Sequence, residues 1–411
     1  MTLVDYLFLL AILKTATGFA SSAYFSFNSA SPNSESVSIS DRIVIILPVW
    51  FEDELIDRAY NFYNIELENS ENIEIHIVGS LNERNARSGV SCIDTINKYQ
   101  ELSHNPRIKL FEVFPEKQSK SNQLIEYLKL SNLSKEDFIL FVDIDTEIPA
   151  DKLVFEISRL KTEILQFHTL FIQNFEHLRY WQRGHALYQT RWTICHELRR
   201  VFFSRFTAWY ASHLVGHGLL MRKRTYDKVG GFPPESNTED VHFGYIANQM
   251  RVSISSAASF STSDIPLTLW AGSKQQFSWA FGPLRYYAYF WDALGRGVFA
   301  QNWYRIVRGA VSAFFGTIGF LTWALQGPLI VAMISMAWFD AIWLVPLLIY
   351  LLDHLVALRV TTTSGRIVTS QILFSLPALA FEWLRRSIPA MFALFVLPAF
   401  RRGKTIKTHH E

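Results

Sequence analysis

A chain of 411 residues exceeds one average domain and leaves room for a soluble core beside a second structural unit. Its formal charge of +2, from 39 Lys and Arg against 37 Asp and Glu, sets nucleic acid aside as the main partner. Two cysteines, Cys92 and Cys195, exclude a disulfide framework, and their spacing fits no zinc or redox motif.

Residues 7–27 have the length of one membrane span, interrupted by Lys14. A secretory signal is the competing reading, but no positive charge precedes the apolar stretch, so an anchor with its N-terminus outside is preferred. The Ser- and Asn-rich segment 28–40 is a flexible linker, which makes 1–40 an anchor with its tether. Arg42-Ile43-Val44-Ile45-Ile46-Leu47-Pro48 is a continuous β-branched run of the kind needed by a strand buried on both faces. Further strands are predicted at 73–78, 108–113 and 138–142, with helices at 52–63 and 119–130. This alternation predicts an α/β domain over 41–274, with a mostly parallel sheet covered on both faces.

Residues 168–205 are aromatic and basic with helical spacing, and 216–231 are Gly-rich. From 275 to 306 the chain is amphipathic and rich in Trp, Tyr and Arg, as suits helices at a lipid interface. The tail, 307–400, reads as transmembrane: spans at 309–325 and 329–352 around a Gln326-Gly327-Pro328 turn, a third at 367–383 and a shorter fourth at 388–400. Four tail spans put Arg305, Arg308, Arg359, Arg366 and the closing basic segment on one side, with 401–411 as a cytosolic tail. Arg385 and Arg386 break that pattern. Asp340, inside an apolar run, marks either contact with a polar channel or a break between shorter segments.

The chemistry centres on Phe138-Ile139-Leu140-Phe141-Val142-Asp143-Ile144-Asp145, an apolar strand ending in two carboxylates one residue apart. Ligands of parallel sheets collect at the carboxyl ends of strands, and hard cations such as Mg²⁺ or Mn²⁺ take carboxylate oxygen and bridge to a diphosphate. A solvated pair capping a loop has the same spelling. Glu239-Asp240 opens a helical stretch; carboxylates suit a helix N-terminus for dipole reasons alone, and Asp240 also suits the base that a transfer to a hydroxyl requires. Lys120 is either a surface lysine or a point charge for phosphates. Gln275 and Trp279 offer an amide and an indole, for a sugar or for lipid headgroups. Cys195-His196-Glu197 lacks metallopeptidase spacing.

Taken in order, these segments resemble the membrane-bound family 2 glycosyltransferases, the group that includes cellulose and hyaluronan synthases. The resemblance spans residues 42–279 and implies a GT-A-like nucleotide-sugar-binding domain. It places Pro48, Trp50 and Glu52 in the motif that opens the nucleotide site, and Lys120 and Asp143 beside them, with Asp143 and Asp145 as the metal-binding Asp-x-Asp. Gly216-His217-Gly218 matches the acceptor-side glycine segment, which makes His217 and Gly218 acceptor residues, and Glu239 with Asp240 matches the Thr-Glu-Asp motif that carries the base. Gln275 and Trp279 border the acceptor, and Lys404-Thr405 matches the close after the last span.

Two departures matter. Val78-Gly79-Ser80-Leu81 replaces an acidic motif that contacts the nucleotide base, which leaves the base unassigned, and Ser278 replaces the arginine of Gln-x-x-Arg-Trp, which argues for single additions. The resemblance implies inverting, metal-dependent transfer from a nucleotide-diphosphate sugar to a lipid or glycan acceptor. The enzyme would be a multi-pass protein of the plasma or inner membrane, in contact with membrane lipid, with its catalytic domain cytosolic. A processive, polymer-extruding synthase and an inactive membrane scaffold are the alternatives.

Overall fold

The computed structural model describes residues 3–28, 41–50, 52–68, 70–80, 94–95, 97, 105–115, 119–204, 206–210, 214–234, 236, 238–363 and 367–396. The linker after residue 28, Cys92, Leu81, Arg366 and the closing segment with Lys404 and Thr405 lie outside them.

Strands β1 (Ile43–Pro48), β2 (Ile73–Ser80), β3 (Ile108–Val113) and β4 (Phe138–Phe141) form a parallel half-sheet in the order β3-β2-β1-β4. Every residue of β1 and β4 is buried, which is why their sequences are continuous apolar runs without a polar face. Side-chain alternation divides them between two cores. Val44, Ile46, Ile139 and Phe141 face the core containing Leu124 and Phe243, whereas Ile45, Leu47, Phe138 and Leu140 face the one containing Ile56 and Leu153. Helices Lys120–Leu130 and Glu239–Gln249 thus cover one face, and Asp53–Leu67 and Ala150–Ser158 the other.

The sheet is mixed rather than mostly parallel. β5 (Thr146–Glu147), β6 (Ile164–Leu170), β7 (Leu219–Arg222) and β8 (Ile254–Ser263) extend it to eight strands in the order β3-β2-β1-β4-β7-β6-β8-β5, with β7 antiparallel to both β4 and β6. Three of these strands gave no clear sequence signal. β7 is four residues inside the Gly-rich passage, β6 takes in His168 from the stretch read as helical, and β8 is half serine, a composition that suggests turns. The rest of 168–205 forms helices Tyr180–Trp192 and Leu198–Ser204, joined by a π-helical turn over Thr193–Glu197.

In the helical part, Leu3–Asn28 packs along Leu344–Thr363. Ser22 Oγ donates to Asp353, whose Oδ2 accepts from Arg191 Nε at 2.8 Å, and all three side chains are buried. Two helices of the described residues are long and apolar enough to cross a membrane, Trp303–Ala324 and Ala341–Thr362. The predicted 329–352 span is divided. Helix Gln326–Ala337 ends before Asp340, whose carboxylate caps the following turn by accepting from Ile342 N at 3.0 Å, so Asp340 marks a break. The predicted third and fourth spans are instead three short helices, Thr369–Phe374, Leu376–Arg385 and Ser387–Val396. Ten helical residues cover about 15 Å, half of a ~30 Å hydrocarbon layer. Helix Leu376–Arg385 packs on the Tyr180–Trp192 helix, and Glu382, Arg385 and Arg386 are buried.

Candidate active site

β1 connects onward to β2 on one side while β4 lies on its other, so the ends of β1 and β4 flank the point where strand order reverses. Crevices form there in open α/β sheets. A cavity of ≈ 260 Å³ opens at this point and is lined by Pro48, Trp50 and Glu52 after β1 and by Asp143 and Asp145 after β4. Lys120, His217, Glu239, Asp240, Gln275 and Trp279 complete the wall supplied by the expected residues. A larger hollow of ≈ 530 Å³ lies where β6 and β8 begin and is lined by Arg159, Lys161 and Arg251, away from all of these.

Local capping fixes Lys120. Ser119 Oγ accepts from Asn122 N at 3.1 Å and starts helix Lys120–Leu130, and Gln123 Nε2 donates to the carbonyls of Val49 and Val78 at 2.9 and 2.8 Å. The helix start is thereby tied to the ends of β1 and β2. Lys120 Nζ pairs with Asp143 Oδ1, with the two side chains 28% and 35% exposed. Burial acts against the ammonium charge, but Asp143, Glu239 and Asp240 outweigh it and raise the Lys120 pKa.

Glu239 and Asp240 form the first turn of helix Glu239–Gln249. Asp240 Oδ2 accepts from Gly216 N at 2.6 Å and Oδ1 from Val241 N at 2.7 Å. Even so, burial raises the Asp240 carboxyl above its ordinary value, and burial pushes Glu239 up to about 7 against the pull of Lys120. Raised carboxyls in a cleft are suited to accepting a proton near neutral pH. A Cβ at Gly216 would stand 3.4 Å from Asp240 Oδ2 and 3.6 Å from Lys120 Nζ, so these two charged groups sit close to one stretch of bare backbone.

The Asp143 and Asp145 carboxylates supply hard oxygen donors on one wall. Among the described residues no cluster of three or more His, Cys, Asp or Glu side chains is disposed to hold a metal by itself. Two carboxylates fit a cation that takes its remaining ligands from phosphate and water, the usual habit of Mg²⁺.

On the other side, His217 Nδ1 bonds Thr169 Oγ1 at 2.6 Å, and Gln275 Oε1 is buried without a hydrogen-bond partner. Gly218 does not line the cavity. It has φ +142°, and a Cβ there would lie 2.6 Å from Phe167 Cβ, so its absent side chain serves packing against β6. The helical wall escaped the sequence reading: Gln189, Trp192, Trp323 and Arg386 also line the cavity. The one available signal was the Arg385-Arg386 pair set against the charge pattern of an apolar tail.

Residues 138–399 match the sequence profile described as glycosyl transferase family group 2. No curated protein matches the chain. Among solved structures it is similar to mannosyltransferase PcManGT from Pyrobaculum calidifontis in complex with GDP-Man and Mn²⁺, at 13% identity and a TM-score of 0.51, covering 96% of this chain and 100% of that one. It is also similar to S. aureus TarS 1-349 in complex with UDP-GlcNAc, at 14% identity and a TM-score of 0.36, over 59% of this chain and 66% of that one. With its profile match extending over well more than half its length, the chain belongs to glycosyl transferase family group 2 and is a glycosyltransferase.

Proposed function

We propose that the protein transfers a sugar, with inversion, from a nucleotide-diphosphate sugar to an acceptor held at a membrane. One observation carries this reading: a single cavity holds the acids that end β4, the acid pair of helix Glu239–Gln249, and Lys120 between them. The acceptor hydroxyl oxygen attacks the anomeric carbon, the bond from that carbon to the diphosphate oxygen breaks, and the hydroxyl proton passes to Asp240. Lys120 offsets charge on the departing diphosphate. Asp143 and Asp145 would hold Mg²⁺ or Mn²⁺, which supplies Lewis-acid neutralisation of the leaving group. The similar fold of PcManGT, solved with GDP-Man and Mn²⁺, supports this donor and metal class.

Gln275 offers its unpartnered amide oxygen to acceptor hydroxyls, and Trp279 a ring face. Ser278 on the same wall supports single additions over polymer growth. The membrane-bound, cellulose synthase-like type is supported by the two span-length helices. Exposed Trp270, Tyr287, Trp291 and Trp303 suit the headgroup layer, and the positive charges of Arg305, Arg308 and Arg359 support a cytosolic catalytic domain.

The test is incubation of the full chain in neutral detergent with a panel of UDP- and GDP-sugars and Mn²⁺. The expected result is nucleoside diphosphate release from at least one donor, abolished by chelation, with an inverted anomeric centre in the product by NMR. Release untouched by chelation, or a retained configuration, overturns the mechanism.

A further inference from the structure

The turn that carries Asp143 and Asp145 is short of ladder bonds. Thr146 N donates to Asp143 O at 2.9 Å and closes the turn, and the strand that follows, β5, pairs with β8 only at Thr146 and Glu147. So short a strand does little to fix the loop before it. Helix Asp53–Leu67 supplies further ties. Arg58 Nη2 donates to Asp145 O at 3.2 Å, Tyr63 Oη donates to Thr146 O at 3.3 Å, and Glu66 Oε2 accepts from Ala150 N at 2.7 Å. Arg58 also donates through Nη1 to Asp264 Oδ2 at 2.6 Å, and its Nε lies 3.5 Å from Glu147 Oε1. Asp264 is the residue after β8, so one guanidinium ties the end of β8 to both neighbours of Thr146. Tyr63 belongs to the core and Glu66 holds the first residue of helix Ala150–Ser158, so both serve the fold. The Arg58 side chain is 37% exposed, and its acidic partners Glu147 and Asp264 stand outside the cavity lining, behind Asp145.

We propose that Arg58 is a positioning residue: it fixes the backbone of the Asp143–Asp145 turn and so aims the two carboxylates at the cation. This rests on the metal reading of those acids and adds what holds them in place. A guanidinium suits the task because its planar fork serves a carboxylate and a carbonyl at fixed angles, whereas an ammonium is a point charge on a flexible stem. The helix that carries Arg58 starts directly after Glu52, in the segment that lines the nucleotide side of the cavity with Pro48 and Trp50. The nucleotide side and the metal turn therefore share one strut, and a cation that needs both a diphosphate and two carboxylates depends on their spacing.

The experiment uses the full chain in neutral detergent, with GDP and UDP as probes. It compares wild type, Asp264→Asn, and a double variant, Arg58→Gln with Asp264→Asn, whose net charge is unaltered. Amide hydrogen exchange over residues 143–150, without metal or nucleotide, should speed up by roughly tenfold in the double variant, as one charge-assisted hydrogen bond is lost. Asp264→Asn alone should exchange like wild type, because its amide oxygen still accepts from Arg58. In calorimetric titration, the Mn²⁺ concentration giving half its effect on nucleotide binding should also rise by about tenfold in the double variant only, with metal-free affinity held within about twofold. Wild-type exchange or a wild-type Mn²⁺ response in the double variant overturns the proposal, as does an equal loss in Asp264→Asn, the mark of a merely structural ion pair. Should the double variant fail to fold, Arg58→Lys takes its place, with losses of about threefold expected and wild-type behaviour overturning the proposal. Faster exchange in the double variant, with no Mn²⁺ effect on wild type, means that the clamp stands and the metal reading fails.

Discussion

Replacing Asp240 by Asn keeps the side chain's size and removes its ability to take a proton. The carboxylate accepts two backbone N–H groups, from Gly216 at 2.6 Å and Val241 at 2.7 Å. An amide has one oxygen for these two donors, so one bond is lost at a cost of about 1 kcal/mol in stability, too little to unfold the domain. The catalytic effect is far larger. A positioned general base contributes roughly 10²- to 10⁴-fold, or about 3–5 kcal/mol of barrier, so kcat at saturating donor and acceptor should fall by that factor with the donor KM nearly unchanged. Burial raises the Asp240 carboxyl above its ordinary value, so wild-type kcat should climb as pH rises through that raised pKa and the base ionises. Asp240→Asn should lose that dependence. A variant with kcat within about tenfold of wild type and an unaltered pH profile refutes the assignment of the base.

Glu239 predicts a pH-dependent stability: its carboxyl has an ordinary value of 4.5 and is raised to about 7 in the fold, so the stability it contributes below pH 4.5 is lost as pH rises to 7. Glu239→Gln should therefore unfold later than wild type at pH 8, by up to about 3 kcal/mol, and with no advantage at pH 4.5; an equal shift at both pH values contradicts this. Gly218→Ala should cost roughly 2–4 kcal/mol, because its Cβ would meet Phe167 Cβ at 2.6 Å and φ is +142°. An unchanged thermal midpoint shows that the strain is relieved elsewhere. Asp353→Ala should cost about 3–5 kcal/mol by leaving Arg191 buried without its counter-ion, read as thermal unfolding in detergent; a loss under about 1 kcal/mol would mean the pair is dispensable.

The parallel half-sheet was legible because strands buried on both faces have no polar residues to spare. Ile43 to Leu47 and Phe138 to Phe141 announce themselves by composition alone. β8 did not, since Ile254–Ser263 carries five serines and is held by pairing with β6 and β5 rather than by its own propensity. The division of the tail into short helices was not legible either. Apolar residues of helix Leu376–Arg385 pack against the Tyr180–Trp192 helix, and composition alone cannot tell burial in protein from burial in lipid. At the site, motifs lying at strand ends and helix starts pointed to Lys120, Asp143 and Asp240, because topology fixes where those ends meet. Arg386 and Gln189 are 197 residues apart and meet only through helix packing, so no local pattern joins them. Gly218 was assigned to the acceptor from its place in a motif, while its geometry speaks for backbone packing.

The central claim is that Asp143 and Asp145 hold a divalent cation against a diphosphate. The most direct test is calorimetric titration of GDP and UDP into the full chain, with Mn²⁺ or with chelator, for wild type, Asp143→Asn and Asp145→Asn. The account predicts that Mn²⁺ tightens binding of at least one nucleotide by about tenfold or more in wild type, and that either substitution removes the gain. Equal affinity with and without the cation, or variants that keep the full Mn²⁺ effect, would contradict it.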